Sequence, residues 1–223
     1  MMRGTAEELD VKADLIFTSP PWRPLETPWY AGVFAHLGEC LTAQGSMVVV
    51  LGNEWLPPNQ TTRTLMALHW IAVASGLEIA QMFVAVHDEP LMSPSVADEM
   101  KGVKRASDVH SYAWWLTGKD PKVHPRGRTS VIDASTGPAD WAYNEYCYEN
   151  GFENHPAAMP VALPEFFVKL LTDRDDLVVD PFAGSNATGA AAERLGRRWM
   201  AVEPDKRHVD GSRGRFAKVR ANV

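Results

Sequence analysis

Short apolar runs alternate along the chain with longer segments of helical period. That alternation is what a mostly parallel sheet with helices on both faces produces. LIFT (15–18) has the composition of a strand. AGVFAHLGECL repeats its apolar positions at helical spacing and predicts a helix over about 30–43. SMVVVLG (46–52) is continuously apolar, as in a strand buried on both faces. Thr61 to Ser75 reads as a helix closed by Gly76, and EIAQMFVAV (78–86) as the next strand. From His87 to about Asn154 the pattern weakens, and SYAWWLTG (111–118) is its strand candidate. A helix near 164–172 follows, with Pro164 in its first turn. Then come a strand at LVVD (177–180), a helix at NATGAAAERLG (186–196) and a strand at RWMAVE (198–203). The pattern predicts one α/β domain over residues 1–223 with an irregular insert.

Composition narrows the class. The chain has 223 residues, 45% of them hydrophobic, enough for one well-buried domain. No run approaches the roughly 18 apolar residues of a membrane span. MMRGTAEELD at the N-terminus has no apolar segment of signal-peptide type, so a cytoplasmic protein without membrane association is expected. Cys40 and Cys147 stand apart, and the seven histidines lack the HExxH spacing. Two buried thiols and no metal site are expected.

Charge adds a qualification. The net charge of −6 argues against nucleic acid, but its distribution does not. Residues 1–100 hold 4 basic and 12 acidic side chains, whereas residues 101–130 hold 7 basic and 2 acidic. Those seven are Lys101, Lys104, Arg105, Lys119, Lys122, Arg126 and Arg128. A solvated loop would carry such charges, and so would a contact with a phosphate backbone.

Two turns carry candidate chemistry. VVDPFAGSNATGAAAERLG (178–196) is a strand, a tight turn at Gly184 and a small-residue helix, so backbone N–H groups can face a ligand. It is neither GxGxxG nor a P-loop, since no lysine follows Gly189, and a phosphate cradle is disfavoured. The next strand ends in Glu203, about twenty residues on, where a carboxylate can accept both hydroxyls of a ribose. The implied ligand is a nucleoside without a phosphate chain, a description that S-adenosylmethionine (SAM) fits. The other turn, TSPPW (18–22), stops an apolar strand with two residues that have no N–H to donate.

Taken together the two turns resemble the β class of amino-methylating DNA methyltransferases, in which the catalytic motif precedes the cofactor motif. TSPPW resembles the catalytic motif and DPFAGS (180–185) the SAM-binding motif. NHPAAMPVALPEFFVKLLT (154–172) resembles the segment before it, which also touches SAM in the family. GSMVVVLGNEW (45–55) and the region 87–119 resemble the middle strands. The resemblance spans nearly the whole chain and implies a doubly wound, Rossmann-like methyltransferase fold in circularly permuted order. It also implies a short target-recognition insert at about 119–153.

By this resemblance Ser19, Pro20, Pro21 and Trp22 are the catalytic candidates. Thr18, His155, Pro156, Asp180, Pro181, Phe182, Gly184, Ser185, Asn186 and Glu203 are the cofactor-binding candidates. The seven basic residues above are candidates for holding double-stranded DNA. A cognate restriction endonuclease is implied by analogy alone. Ser-Pro-Pro-aromatic is associated in the family mainly with N4-methylcytosine. Cytosine-C5 chemistry needs a nucleophilic thiol in a Pro-Cys pair, and GECLT and EYCYE offer none. The family turn usually reads GSGTT, where this chain has Gly184-Ser185-Asn186-Ala187-Thr188; Asn tolerates left-handed backbone and caps helices.

The prolines have a chemical reading. An exocyclic amine has two N–H donors and a lone pair delocalised into the ring. Ser19 and Pro20 each precede a proline, which biases them toward extended backbone. The turn then offers the Ser19 hydroxyl, the Ser19 and Pro20 carbonyls and the Trp22 ring, with no competing N–H from the prolines. Asp14 reads as structural, and Trp114 and Trp115 as core aromatics. Other readings are an adenine-N6 methyltransferase on the same scaffold and a catalytically silent SAM- or DNA-binding protein. A nicotinamide-dependent oxidoreductase is disfavoured by the missing GxGxxG.

Overall fold

The computed structural model describes residues 1–21, 28–51, 60–88, 110–124 and 129–216. Among these, eight strands form one sheet: β1 (Met2–Arg3), β2 (Ala13–Thr18), β3 (Leu41–Leu51), β4 (Glu78–Val86), β5 (His110–Thr117), β6 (Val131–Asp133), β7 (Leu177–Asp180) and β8 (Arg198–Glu203). Their order is β1-β8-β7-β2-β3-β5-β4-β6. Only β5 runs antiparallel to its neighbours, β3 and β4. The helices are α1 (Pro28–Glu39), α2 (Gln60–Ser75), α3 (Pro138–Glu149), α4 (Ala162–Leu171), α5 (Ala187–Arg194) and α6 (Lys206–Gly211), and a 3-10 turn covers Ser212–Phe216.

The sheet is buried on both faces because its central strands are apolar at consecutive positions. Ile16 of β2 joins Met47, Val49 and Val179 against Tyr30, Phe34 and Leu37 of α1 and Leu68 and Ile71 of α2. Its neighbours Leu15 and Phe17 face the other way, against Leu163, Phe167 and Leu171 of α4. The Phe17 and Phe167 rings lie 5.7 Å apart. This is the doubly wound α/β architecture expected from the sequence. Among the described residues no helix is long and apolar enough to cross a membrane.

Several element boundaries differ from expectation. The helix expected over 30–43 ends at Glu39, and β3 begins at Leu41 rather than Ser46. The Ala13 amide donates to the Cys40 carbonyl at 2.7 Å, which draws the chain into the sheet one residue past the helix. The helix expected over 186–196 runs from Ala187 to Arg194, because Asn186 is its left-handed cap. The segment 119–153 is not irregular: it contains β6 and the twelve-residue α3. Asp140 on the buried face of α3, with Trp141 and Tyr148 exposed, breaks the apolar period that would have announced it.

The connections place the site. From β2 the chain passes through α1 to β3 on one side, and from β7 through α5 to β8 on the other. β2 and β7 are parallel neighbours, with Leu15 opposite Val178 and Ile16 opposite Val179. The winding reverses between them, and such a switch point leaves a crevice at the carboxyl ends of the strands. Both candidate turns, at Ser19 and at Phe182–Gly184, leave the sheet at that end.

Candidate active site

A cavity of about 380 Å³ opens at the switch point. Ser19, Pro20 and Pro21 after β2 line it together with Asp180, Phe182, Gly184 and Ser185 after β7, Glu203 after β8, and His155 and Pro156. Of the other candidates, Thr18, Pro181 and Asn186 are not among its lining residues, and Trp22 lies outside the described residues. Ser19 is half-buried and Pro20 buried. The buried Tyr30 of α1 donates its hydroxyl to the Pro21 carbonyl, which fixes the proline turn to the helix that follows it.

On the β7 side, both carboxylates of the site are held by backbone amides. Glu203 Oε2 accepts from the Gly184 amide at 2.9 Å, and Oε1 accepts from the Asp205 amide at 2.9 Å. Two backbone donors therefore aim the carboxylate, and each oxygen keeps a further lone pair. Asp180 accepts from the Phe182 amide at 3.1 Å and the Thr188 hydroxyl at 2.6 Å. Burial nevertheless pushes its carboxyl up to about 6, with the Glu203 charge adding to the rise. The buried Thr18 hydroxyl faces Asp180 from β2 without a hydrogen bond of ordinary geometry.

Asn186 has φ 61° and ψ 41°, and its Oδ1 accepts from the Gly189 amide at 3.1 Å. The left-handed turn is thus kept with asparagine in place of glycine. Gly184 has φ 48°, and a Cβ there would lie 2.9 Å from His155 Nε2. The His155 ring therefore closes directly over the turn. Its Nδ1 accepts from the Ala157 amide at 3.2 Å, and its ring lies 4.3 Å from that of His208. Burial, reinforced by His208, lowers its pKa to about 4, so the ring is neutral at physiological pH.

The basic candidates are dispersed. Lys101, Lys104, Arg105, Arg126 and Arg128 lie outside the described residues. Lys119 is exposed, whereas Lys122 pairs with Asp176 at 2.7 Å and Asp173 at 3.3 Å. Asp14 accepts from the Leu177 amide at 2.9 Å and the Thr42 hydroxyl at 3.3 Å, tying β2 to its neighbours at the strand start, at the end opposite the cavity. Trp114 and Trp115 pack against opposite core clusters.

An N6/N4 methyltransferase family model, described as DNA methylase, matches residues 13–213. The chain belongs to this DNA methylase family. The type II methyltransferase M.PvuII of Proteus hauseri is 25% identical over 265 residues, covering 93% of this methylase and 79% of that protein. The DNA adenine methyltransferase YhdJ of Escherichia coli (strain K12) is 24% identical over 227 residues, covering 88% and 73%. Among solved structures, the PvuII DNA methyltransferase (cytosine-N4-specific) superposes with a TM-score of 0.83 at 26% identity, covering 99% of this methylase and 86% of that chain. TTHA0409 of Thermus thermophilus, complexed with SAM, shares the fold with a TM-score of 0.68 at 19% identity, covering 99% and 94%.

Sequence reasoning missed several residues of the methylase's cavity and its support. Met159, Thr188 and His208 line the cavity, and His208 Nδ1 lies 3.6 Å from Glu203 Oε1. Tyr143 accepts from the His155 amide at 3.1 Å through its hydroxyl. Arg215 reaches Ser185 from the C-terminal 3-10 turn. A single arginine in the stretch 201–223, which holds 6 basic and 3 acidic side chains, carries no signal that separates it from a solvated one. The Gly137-Pro138 start of α3, with Asp140 two residues on, was a legible helix signature.

Proposed function

We propose that this methylase transfers a methyl group from SAM to the exocyclic N4 amine of cytosine in a base flipped out of double-stranded DNA. The observation that carries the reading is the meeting, in one cavity at the switch point, of the Ser19-Pro20-Pro21 turn with the Gly184 turn and Glu203. A volume of about 380 Å³ falls within the ~300–1,000 Å³ of small-molecule sites. The acceptor groups of Glu203 suit a ribose diol, and the turn lacks the cation that a phosphate chain would need.

SAM supplies an electrophilic methyl group on a sulfonium centre. Glu203 takes the ribose hydroxyls, Gly184 lets the ligand approach the backbone, and Phe182 and Met159 provide apolar wall. The Ser19 hydroxyl with the Ser19 and Pro20 carbonyls accepts both N–H bonds of the target amine. Two acceptors hold the amine out of the ring plane and return electron density to nitrogen, which sheds its surplus proton once the new N–C bond has formed. Trp22 stacks on the base. The acceleration comes chiefly from positioning, because the acceptors are preorganised and water is displaced. Flipping the base costs a few kcal/mol, and the basic residues of 101–128 other than Lys122, which Asp173 and Asp176 engage, hold the backbone while it is out.

Cytosine is favoured by the serine that opens the motif and by the likeness to the cytosine-N4-specific PvuII enzyme. A second reading, adenine-N6 transfer on the same scaffold, is supported by the likeness to YhdJ. A cognate endonuclease is carried over by analogy with the type II relative. The test is to incubate the protein with mixed-sequence duplex DNA and SAM, digest to nucleosides and weigh them. N4-methyldeoxycytidine is expected. N6-methyldeoxyadenosine would overturn the base assignment, and neither product from a SAM-binding protein would overturn the catalytic reading.

A further inference from the structure

Arg215 is the most thoroughly engaged buried charge outside the cavity. Its side chain is 1% exposed and that of its partner Asp140 9%, with 2.5 Å between Nη1 and Oδ1. Nη2 donates to Ser185 Oγ at 3.0 Å and to the Met159 carbonyl at 3.2 Å. Nε donates to the Ser185 carbonyl at 3.4 Å. The guanidinium lies 4.3 Å from the centre of the Tyr143 ring, whose hydroxyl accepts from the His155 amide. Asp140 in turn accepts from the amides of Gly137 and Val161. The 3-10 turn that carries Arg215 sits close against α3: a Cβ at Gly214 would lie 2.8 Å from Tyr146 Cβ.

The geometry points to Arg215 as a positioning residue for the cofactor, with α3 as its anchor. One planar fork fixes two walls of the cavity at once, Ser185 in the β7 turn and Met159 in the segment after His155. α3 lies inside the segment where the family resemblance places target recognition. It carries Asp140, Glu145 and Glu149 and no basic residue, so its face does not suit a phosphate backbone. Its buried side holds Asp140 and Tyr143, both directed at the cofactor walls. This inference rests on the SAM reading of the cavity.

A buried ion pair can also be a purely structural feature, and the test separates the two roles. Replacing both partners by uncharged side chains of similar volume avoids the unpaired buried charge that removing one of them leaves. The double variant Asp140→Asn with Arg215→Met is therefore expected to fold. Its dissociation constant and KM for SAM should rise by about tenfold or more, the scale of lost charge-assisted hydrogen bonds. Its kcat at saturating SAM should stay close to that of the wild type, because Arg215 touches no reacting atom. Arg215→Lys keeps a charge opposite Asp140 but cannot fork to Ser185 and Met159, and should show the same split. In the wild-type protein, SAM should slow amide exchange in 138–149 and 212–216, since coupling is reciprocal. Unchanged SAM affinity in either folded variant would overturn the proposal, as would exchange protection absent from both segments. A wild-type protein that binds no SAM would overturn the cofactor reading instead.

Discussion

Asn186 offers a case in which the usual order of two substitutions should reverse. Its side chain is fully buried, its φ is 61°, and its Nδ2 has no partner. Flipping the amide would not help, because the Gly189 amide needs the oxygen. A buried unpaired amide costs about 1–3 kcal/mol, which Asn186→Gly removes. Against this, glycine gives up a few tenths of a kcal/mol at the cap. It also gives up about 0.4–1 kcal/mol in unfolded-state entropy and about 1 kcal/mol in packing. The terms nearly cancel, so Asn186→Gly should lie within about 1 kcal/mol of the wild type. Asn186→Ala removes the same unpaired group and loses a similar ~1 kcal/mol of packing, but it also keeps left-handed strain of about 1–2 kcal/mol and forfeits about 1 kcal/mol of capping. Alanine should therefore be the less stable variant by about 1–2 kcal/mol, although elsewhere it outranks glycine. In a chain of this size each kcal/mol shifts the melting temperature by roughly 2–4 °C. Thermal and urea unfolding of the three proteins measures the order. Alanine matching or exceeding glycine would refute the claim that backbone geometry governs this turn.

Other expectations follow from the same cavity. Ser19→Ala should lower methyl transfer by orders of magnitude in a single-turnover assay while leaving SAM affinity nearly intact, because the proposed mechanism uses the hydroxyl on the amine alone. Glu203→Gln should weaken SAM binding by about ten- to a hundredfold in calorimetry, since one of its two amide donors then loses its acceptor. His155 and Asp180 make opposing contributions to stability below neutrality. His155, depressed to about 4, loses stability as pH falls from about 6.5 through 4, where the unfolded state binds the proton more readily. Asp180, raised to about 6, gains stability as pH falls from about 6 toward 3.8. The wild type should show a shallow profile there in denaturant titrations, Asp180→Asn a fall on acidification and His155→Gln a rise.

What was legible in the sequence was whatever depended on local pattern. β4, β7 and β8 lie where apolar runs placed them, since a buried parallel strand is a short unbroken run. Glu203 and Gly184 could be paired by spacing, because a strand-turn-helix-strand unit returns the chain to a fixed neighbouring position. The parts that eluded reading bury polar groups. α3 buries Asp140 beside Tyr143 and Cys147 and exposes Trp141 and Tyr148, so its sequence shows no clean division into an apolar and a polar face for periodicity to detect. The start of β3 reads LTAQG, and its entry into the sheet is decided by the bond from Ala13, distant in sequence. Arg215 is engaged through contacts 30, 56 and 75 residues away.

The remaining question is how an acidic protein holds DNA. Many cations among the described residues are engaged: Lys122 with Asp173 and Asp176, Arg207 with Asp205, Arg213 with Asp210, and Arg215 with Asp140. A phosphate approaching Lys122 would compete with two carboxylates already in place, whose attraction raises the lysine's pKa. Affinity for a polyanion must then come from few residues, and its salt dependence should be modest for a DNA enzyme. Each phosphate contact contributes roughly 0.9 to the slope of log affinity against log salt. Replacing Lys101, Lys104 and Arg105 together by alanine should reduce that slope by roughly 2.7 if all three contact phosphate. Lys122→Ala should change it little, while releasing two carboxylates to repel the backbone. Fluorescence anisotropy with a duplex across a salt series measures both. If Lys122→Ala lowered the slope as much as the triple variant, the native ion pairs would have to open on binding, and the exclusion of Lys122 from the contact would fall.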